Sequence, residues 1–156
     1  MLQMEQGKKR GLTTRYAMVQ CLYNMSYCCA MCFASVFLLS RGLSNSQVGV
    51  TLTMGNALTI LCQPAVASFA DKTKKFALRS IVAALVAMTS VFILLLMVLP
   101  AVVLPTMVVY ILLMCFFGLY PPLITSMAME QIDRGVPLNF SLARGFGSLA
   151  FALLSL

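Results

Sequence analysis

The stretch that decides the fold is QPAVASFADKTKKFALR, residues 63–79, where a long apolar run breaks into charge and then resumes. Its charged side chains belong to Asp71, Lys72, Lys74, Lys75 and Arg79. Apolar runs longer than the roughly 18 residues that a membrane span requires lie on both sides of it. The stretch is therefore predicted to be a short hydrophilic turn between two transmembrane helices.

The composition extends this interpretation to the whole chain. Of 156 residues, 61% are hydrophobic and 10% are charged, and a soluble domain of this size could not bury so much apolar surface. We predict an all-α integral membrane protein, a polytopic helical bundle with a cytoplasmic amino-terminal segment (residues 1–15) and a transmembrane domain (residues 16–156). The spans are expected at about 16–40, 47–70, 76–99, 102–129 and 139–156. The first apolar run exceeds the about 7–15 residues of a signal-peptide core, so it is interpreted as a retained span.

The positive charge indicates topology. The net charge of +7 comes from bases in the short connections, which favours topology determinants over a nucleic-acid interface. Four bases precede the first span and four lie in residues 71–79, whereas the connection between spans one and two carries only Arg41. The positive-inside rule then predicts a multi-pass protein of the cell (cytoplasmic) membrane with a cytoplasmic amino terminus and no nucleic-acid partner.

Catalytic and metal chemistry find little support in the sequence. The chain has no histidine and four carboxylates, none of them in the middle of a span, so we expect neither an enzyme nor a metal or cofactor site. The cysteines at 28, 29 and 32 are interpreted as small apolar residues within the first span. The segment GFGSLA at 145–150 matches a dinucleotide fingerprint formally, but it lacks the preceding strand and the later acidic residue.

Polar residues form a stripe along the first span. Gln20, Tyr23, Asn24 and Tyr27 recur at i, i+3, i+4 and i+7, which places them on one face of a helix. Such a face in contact with lipid would leave amide groups without hydrogen-bond partners. It is expected to face either a wet cavity or another helix, and the sequence leaves both open.

Two later spans carry prolines. In span two, Asn56, Thr59 and Gln63 share a face ahead of Pro64, which is a candidate kink. In span four, the adjacent prolines at 121 and 122 lack the N–H groups of a regular helix. The freed carbonyls must be satisfied by a cavity or a neighbouring helix, and the span is a candidate for a break. Span three, residues 76–99, is almost wholly aliphatic and is expected to face lipid.

Arg144 is the most informative single residue. It lies inside the fifth apolar segment, in SLARGFGSLAFA, and an arginine at the bilayer centre costs about 2.5–3.5 kcal/mol on the insertion scale. Serines at 141, 148 and 155 share its helical face, which favours a functional arginine over one that extends to the membrane surface. Ala143 and Gly147 form a small-xxx-small pair that allows another helix to approach closely.

These residues resemble a known family. ASFADKTKK at 67–75 is similar to the signature between the second and third helices of the major facilitator superfamily, although Ala67 and Lys74 replace two of its glycines. Three further features resemble the oligosaccharide:proton symporter (lactose permease-like) group. They are the pair Gln63-Pro64, the pattern LLSRGLS at 38–44, and NFSLARGFGSLAFA at 139–152. The resemblance covers residues 16–156.

The resemblance implies a fold and a site. The superfamily has two six-helix halves with the solute site between them, so the chain would supply about five helices of the amino-terminal half. The arginine that matches Arg144 binds sugar in the lactose permease-like group, paired with a glutamate that aligns with Ser126 here. Glu130, one turn later, is the candidate polar partner. The expected substrate-binding residues are Arg144, Asn24, Tyr27 and Gln63, and the expected gating residues are Asp71, Lys72 and Lys75.

The functional prediction follows from that resemblance. We expect a membrane transporter fragment, a cation- or proton-coupled symporter of a small polar solute of the sugar or nucleoside class, working by alternating access. Its expected partners are the solute, the coupling cation, the lipid bilayer and the missing carboxy-terminal half. Two alternatives remain open: an efflux transporter of the same superfamily and a non-transporting helical bundle that assembles with itself or another chain.

Overall fold

The computed structural model describes residues 2–72, 78–133, 135 and 139–156. These residues form seven helical elements in chain order. They are α1 (Leu2–Cys32), α2 (Ala34–Ser40), α3 (Asn45–Lys72), α4 (Leu78–Val98), α5 (Val103–Gly118), α6 (Tyr120–Asp133) and α7 (Phe140–Ser155). The predicted all-α polytopic fold is confirmed.

Several of these helices are long and apolar enough to cross a membrane. In the described part of the chain they are Asn45–Ser68, Ser80–Val98 and Val103–Asp133, of which the last comprises α5 and α6 together. A bent pair, Thr13–Cys32 with Ala34–Ser40, forms a fourth span if it is counted as one. The fifth predicted span corresponds to α7, whose 16 residues correspond to a length of about 24 Å.

The first predicted span differs from the observed helices at both ends. Helix α1 begins at Leu2, so the predicted amino-terminal segment 1–15 continues into the span as one helix. Leu, Gln, Met, Glu, Lys and Arg, which dominate this segment, are good helix formers. At Phe33 the helix axis bends by 46° into α2. The sequence around Phe33 contains neither proline nor glycine, and nothing in it explains the bend.

Helix α2 ends in a glycine cap. Gly42 adopts the left-handed conformation, with φ of 86°, which costs a residue without Cβ little. Its N–H donates to the Leu39 carbonyl, and the Leu43 N–H donates to the Leu38 carbonyl, which is the Schellman pattern. Leu38 and Leu43 are both buried, as the hydrophobic contact of that motif requires. The predicted turn after the first span is therefore a defined helix stop.

The chain divides into two compact units. The first comprises Met1–Ala34 and Ser126–Leu156, and in it α1 packs against α7. The second comprises Ser35–Thr125, and in it α5 packs against both α3 and α4. Most side chains of α4 outside its contact with α5 are exposed. The expectation that this helix faces lipid stays a prediction.

Two small residues set the contact between α3 and α5. A Cβ at Gly55 would lie 2.8 Å from Met114 Cβ. A Cβ at Gly118 would lie well inside the van der Waals radius of the Thr59 methyl group. Both glycines therefore permit a backbone approach that any side chain would prevent, which is a common way for membrane helices to pack.

The predicted break in span four lies at Leu119. Helix α5 ends at Gly118, and the Leu119 N–H donates to the Phe116 carbonyl, a tighter turn than the α-helix makes. Helix α6 then begins at Tyr120 and carries Pro121 in its first turn, where a proline lacks no required hydrogen bond. The prolines thus interrupt the span just before their own positions, because the carbonyls four residues earlier have no helical N–H donor, as the sequence indicates.

Candidate functional site

The polar stripe of α1 lies against α7. Gln20 is 8% exposed, and its amide donates to the Tyr16 hydroxyl at 3.0 Å. The Asn24 amide donates to the Gln20 carbonyl at 2.8 Å, one turn back along the same helix. A Cβ at Gly147 of α7 would lie 2.7 Å from Asn24 Nδ2 and 3.3 Å from the Gln20 carbonyl oxygen. Of the two alternatives for Gln20 and Asn24, the geometry favours helix packing.

The small pair of α7 lies at this contact. Ala143 is fully buried and Gly147 is buried, one turn apart on the face toward α1. Tyr16 of α1 and Phe140 of α7 place their rings 6.1 Å apart nearby. The N-terminus of α7 is capped by Asn139, whose side chain accepts from the Leu142 N–H at 3.2 Å. The cap fixes where the helix begins and therefore where Arg144 projects.

Arg144 follows Ala143 and is exposed. Its guanidinium lies within electrostatic range of the Tyr16 hydroxyl, the same group that accepts from Gln20. The serines at 141, 148 and 155 are exposed as well, and Ser148 Oγ donates weakly, at 3.4 Å, to the Arg144 carbonyl. Unit one thus presents a guanidinium at the edge of a polar patch made of Tyr16, Gln20 and Asn24.

Tyr27 lies further along α1 from that patch. It is half-buried and stacks on Tyr23, with 5.9 Å between the ring centroids. Eleven residues separate it from Tyr16, about 16 Å along a helix axis. The structure brings Asn24 close to Gly147, one turn from Arg144, and the role of Tyr27 stays a prediction.

Gln63 belongs to the second unit and has a backbone partner. Its side-chain amide donates to the Gly118 carbonyl at 2.9 Å, across the contact between α3 and α5. In a regular helix that carbonyl would accept from the N–H of residue 122, and Pro122 has none. The sequence predicts a freed carbonyl in this span, and the structure shows that Gln63 satisfies it.

The predicted gating residues lie at the end of α3. Asp71 and Lys72 are the last two residues of that helix, and Lys75 lies outside the described residues. Glu130, the candidate partner of Arg144, is half-buried in α6 and has an interaction partner of its own. These four residues keep the roles that the resemblance implies as predictions.

Cysteines lie close together in α1. Cys28 and Cys32 place their sulfur atoms 3.6 Å apart, and the Cys28 thiol points at the Phe151 carbonyl of α7 at 3.8 Å. No group of three or more metal-ligating side chains occurs among the described residues. The pair thus contributes to the packing of α1 on α7.

Arg41 has a role that the charge count alone does not predict. Its guanidinium donates to the Leu99 carbonyl at 2.7 Å and to the Leu96 carbonyl at 2.8 Å, and it lies 5.1 Å from the centre of the Phe37 ring. The Leu96 carbonyl, like that of Gly118, lacks its regular helical donor, because Pro100, four residues later, has no N–H. The four-residue spacing from Leu96 to Pro100 is the sequence signal that a side chain such as Arg41 caps the end of α4.

Tyr16 is a further residue that the sequence prediction missed. Its signal is its position one turn before Gln20, which extends the polar stripe of α1.

The fold and the polar patch define a multi-pass helical membrane protein. Residues 13–156 match the profile of the family described as MFS_1 like. The chain belongs to this family, which indicates a transporter of the major facilitator superfamily. The comparisons with curated proteins and with solved structures gave no match.

Proposed function

We propose that the chain forms part of a cation- or proton-coupled symporter that moves a small polar solute across the cell membrane by alternating access. The family supports transport as the activity, and the resemblance to the lactose permease-like group supports symport and a solute of the sugar or nucleoside class. The amino terminus would be cytoplasmic, as the distribution of bases indicates. The partners would be the solute, the coupling cation and the carboxy-terminal half.

The observation that carries this proposal is the exposed guanidinium of Arg144. A charged side chain on a transmembrane helix is costly in lipid, so it marks a solute pathway more often than a packing contact. The Tyr16 hydroxyl, which accepts a hydrogen bond from Gln20, lies within electrostatic range of it, and the serines on the same helical face provide further hydroxyl groups. Guanidinium and hydroxyl groups on one surface are suited to a solute rich in oxygen atoms.

The other proposed residues would have different roles in the transporter. Asn24 donates to its own helix, so it would shape the wall of the site beside Gly147. Tyr27 would extend that wall through its stacked ring. Asp71, Lys72 and Lys75 would close the cytoplasmic end, since the matching turn is part of the cytoplasmic gate in the superfamily. Glu130 would serve as a polar partner for Arg144.

Solute binding to the whole chain in lipid nanodiscs tests the proposal. A panel of sugars, nucleosides and polyols is screened by the shift in unfolding temperature, and hits are titrated by calorimetry. We expect at least one panel member to bind and Arg144→Ala to weaken it at least about tenfold, the loss expected for one hydrogen bond to a charged group. Arg144→Lys should retain only part of the wild-type affinity, because an ammonium lacks the two-pronged donor geometry of a guanidinium.

Arg15→Ala is the matched control. Arg15 is another exposed arginine of the same unit, next to Tyr16 in sequence. Its removal should leave the affinity within about twofold, because successive side chains of a helix project about 100° apart and the exposed Arg15 charge is screened by solvent. Equal binding by wild type and Arg144→Ala would reject the site, and absence of binding by every panel member would reject a solute site formed by this chain without the carboxy-terminal half.

A further inference from the structure

The carbonyl group at the end of α5 lacks its regular helical donor. Gly118 is the last residue of that helix, and its carbonyl would normally accept the N–H four residues ahead. Position 122 is proline, so that N–H does not exist. A buried carbonyl without a donor is costly in a membrane, where water is not at hand to replace it.

Gln63 supplies the missing donor from another helix. Its amide nitrogen lies 2.9 Å from the Gly118 oxygen, and the two residues are 55 positions apart in sequence. The absence of a side chain at Gly118 lets α3 come this close, because a Cβ there would collide with Thr59. The hydrogen bond therefore replaces a backbone bond of the span by a side-chain bond from α3.

The span is irregular at this turn. Leu119 lies between α5 and α6, with its N–H turned back to the Phe116 carbonyl. Two regular backbone bonds are lost over this turn, because Pro121 and Pro122 both lack N–H groups. On the other side, the Tyr120 hydroxyl and Thr89 Oγ1 of α4 are hydrogen-bonded at 3.0 Å. Side chains of α3 and α4 thus hold a turn that the backbone alone leaves weak.

We propose that Leu119 is a hinge of the α5–α6 span and that Gln63 is the latch that holds it in the conformation seen here. With the hydrogen bond made, the hinge is closed. With it broken, α6 is free to change its angle to α5, because few backbone bonds across the turn oppose it. Gln63 then acts on a conformational change rather than on a solute, and this inference does not depend on the proposed function.

The carbonyl itself reports on the latch. Labelling with carbonyl-¹³C glycine and ¹⁵N leucine selects only Gly–Leu pairs in solid-state NMR, and the chain has three, at 11–12, 42–43 and 118–119. Gln63→Leu, in the whole chain in lipid, should move the 118–119 carbonyl resonance upfield and leave the other two unchanged. Hydrogen exchange of the backbone amides at 119, 120, 123 and 124 should accelerate at least about fivefold, as expected when an acceptor in the turn loses its donor.

Asn56→Leu is the matched control. Asn56 lies two turns earlier on α3, and its amide donates to Leu52 of its own helix at 2.9 Å. That variant should change neither the resonance nor the exchange. An unmoved 118–119 resonance in Gln63→Leu, or an equal effect of the two variants, overturns the latch.

A second substitution tests the cause. Pro122→Ala restores the N–H that the Gly118 carbonyl lacks, so Gln63→Leu should have little further effect in that background. Additive effects of the two substitutions would overturn the proposal. Should Gln63→Leu fail to fold, Pro122→Ala alone decides: slower exchange of the amides at 119, 120, 123 and 124 than in wild type supports the hinge, and equal or faster exchange rejects it.

Discussion

Removing the Arg41 guanidinium should destabilise the second unit by about 2–4 kcal/mol. The side chain donates to two carbonyls at the end of α4, at 2.7 and 2.8 Å, and a hydrogen bond from a charged donor contributes about 1.5–3 kcal/mol. The positive charge at a helix C-terminus adds about 0.3–1 kcal/mol, and the contact with the Phe37 ring adds about 0.5–1 kcal/mol. Arg41 is only partly buried, so water compensates for part of this sum.

Three variants separate these contributions. Arg41→Ala removes all of them. Arg41→Lys keeps the charge but not the two-pronged donor, and it should lose about half as much unfolding free energy as Arg41→Ala. Pro100→Ala restores the N–H that the Leu96 carbonyl lacks, so Arg41→Ala should cost about 1 kcal/mol less in that background.

The assay is equilibrium unfolding in mixed micelles of a mild detergent and sodium dodecyl sulfate, followed by circular dichroism. Arg15→Ala serves as the control, since Arg15 is exposed. It should change the unfolding free energy by less than about 0.5 kcal/mol. If Arg41→Ala costs no more than Arg15→Ala, or if Pro100→Ala does not reduce its cost, the cap contributes nothing and the reasoning is wrong.

Two further predictions concern packing and topology. Gly147→Ala should cost about 1–3 kcal/mol of unfolding free energy in the same assay, because its Cβ would lie 2.7 Å from Asn24 Nδ2. Gly145→Ala should not destabilise the protein, because a Cβ there meets no described heavy atom within 4 Å. Equal costs of the two substitutions would contradict the α1–α7 contact. In a cysteine-free variant, Ser46→Cys should react with an impermeant maleimide from outside the cell and Lys74→Cys only after permeabilisation; the opposite pattern would reverse the predicted orientation.

The sequence predicts most of the helices because the bilayer imposes a simple rule on length and polarity. Apolar runs bounded by Arg41 and by the turn at residues 71–79 give the second span to within a few residues of α3. The start of α7 at Phe140 follows from Asn139, a favourable cap. The bend at Phe33 could not be predicted, because hydropathy is insensitive to the direction of a helix axis and no proline marks the place.

The candidate site is predicted less completely, because a polar stripe indicates a face but not its neighbour. Gln20 and Asn24 share a face by spacing alone, yet only the position of Gly147 shows that a helix covers it. Gln63 lies on a polar face too, and the resemblance assigns it to the solute site. Its partner, the Gly118 carbonyl, is 55 residues away, a distance that local periodicity cannot bridge.

The prolines at 100 and 122 indicate from the sequence which backbone carbonyls need a donor from elsewhere in the chain. A proline four residues after a helical carbonyl predicts an acceptor without a donor, so Pro100 and Pro122 indicate Leu96 and Gly118 from the sequence alone. Because such acceptors are costly in a membrane, a donor side chain must lie nearby. Polar residues of neighbouring spans are few, which leaves Arg41 and Gln63 among a small set of candidates for this task. A polar side chain that satisfies a backbone carbonyl is less available to a solute, and on this ground Arg144, rather than Gln63, is the residue to test first for binding.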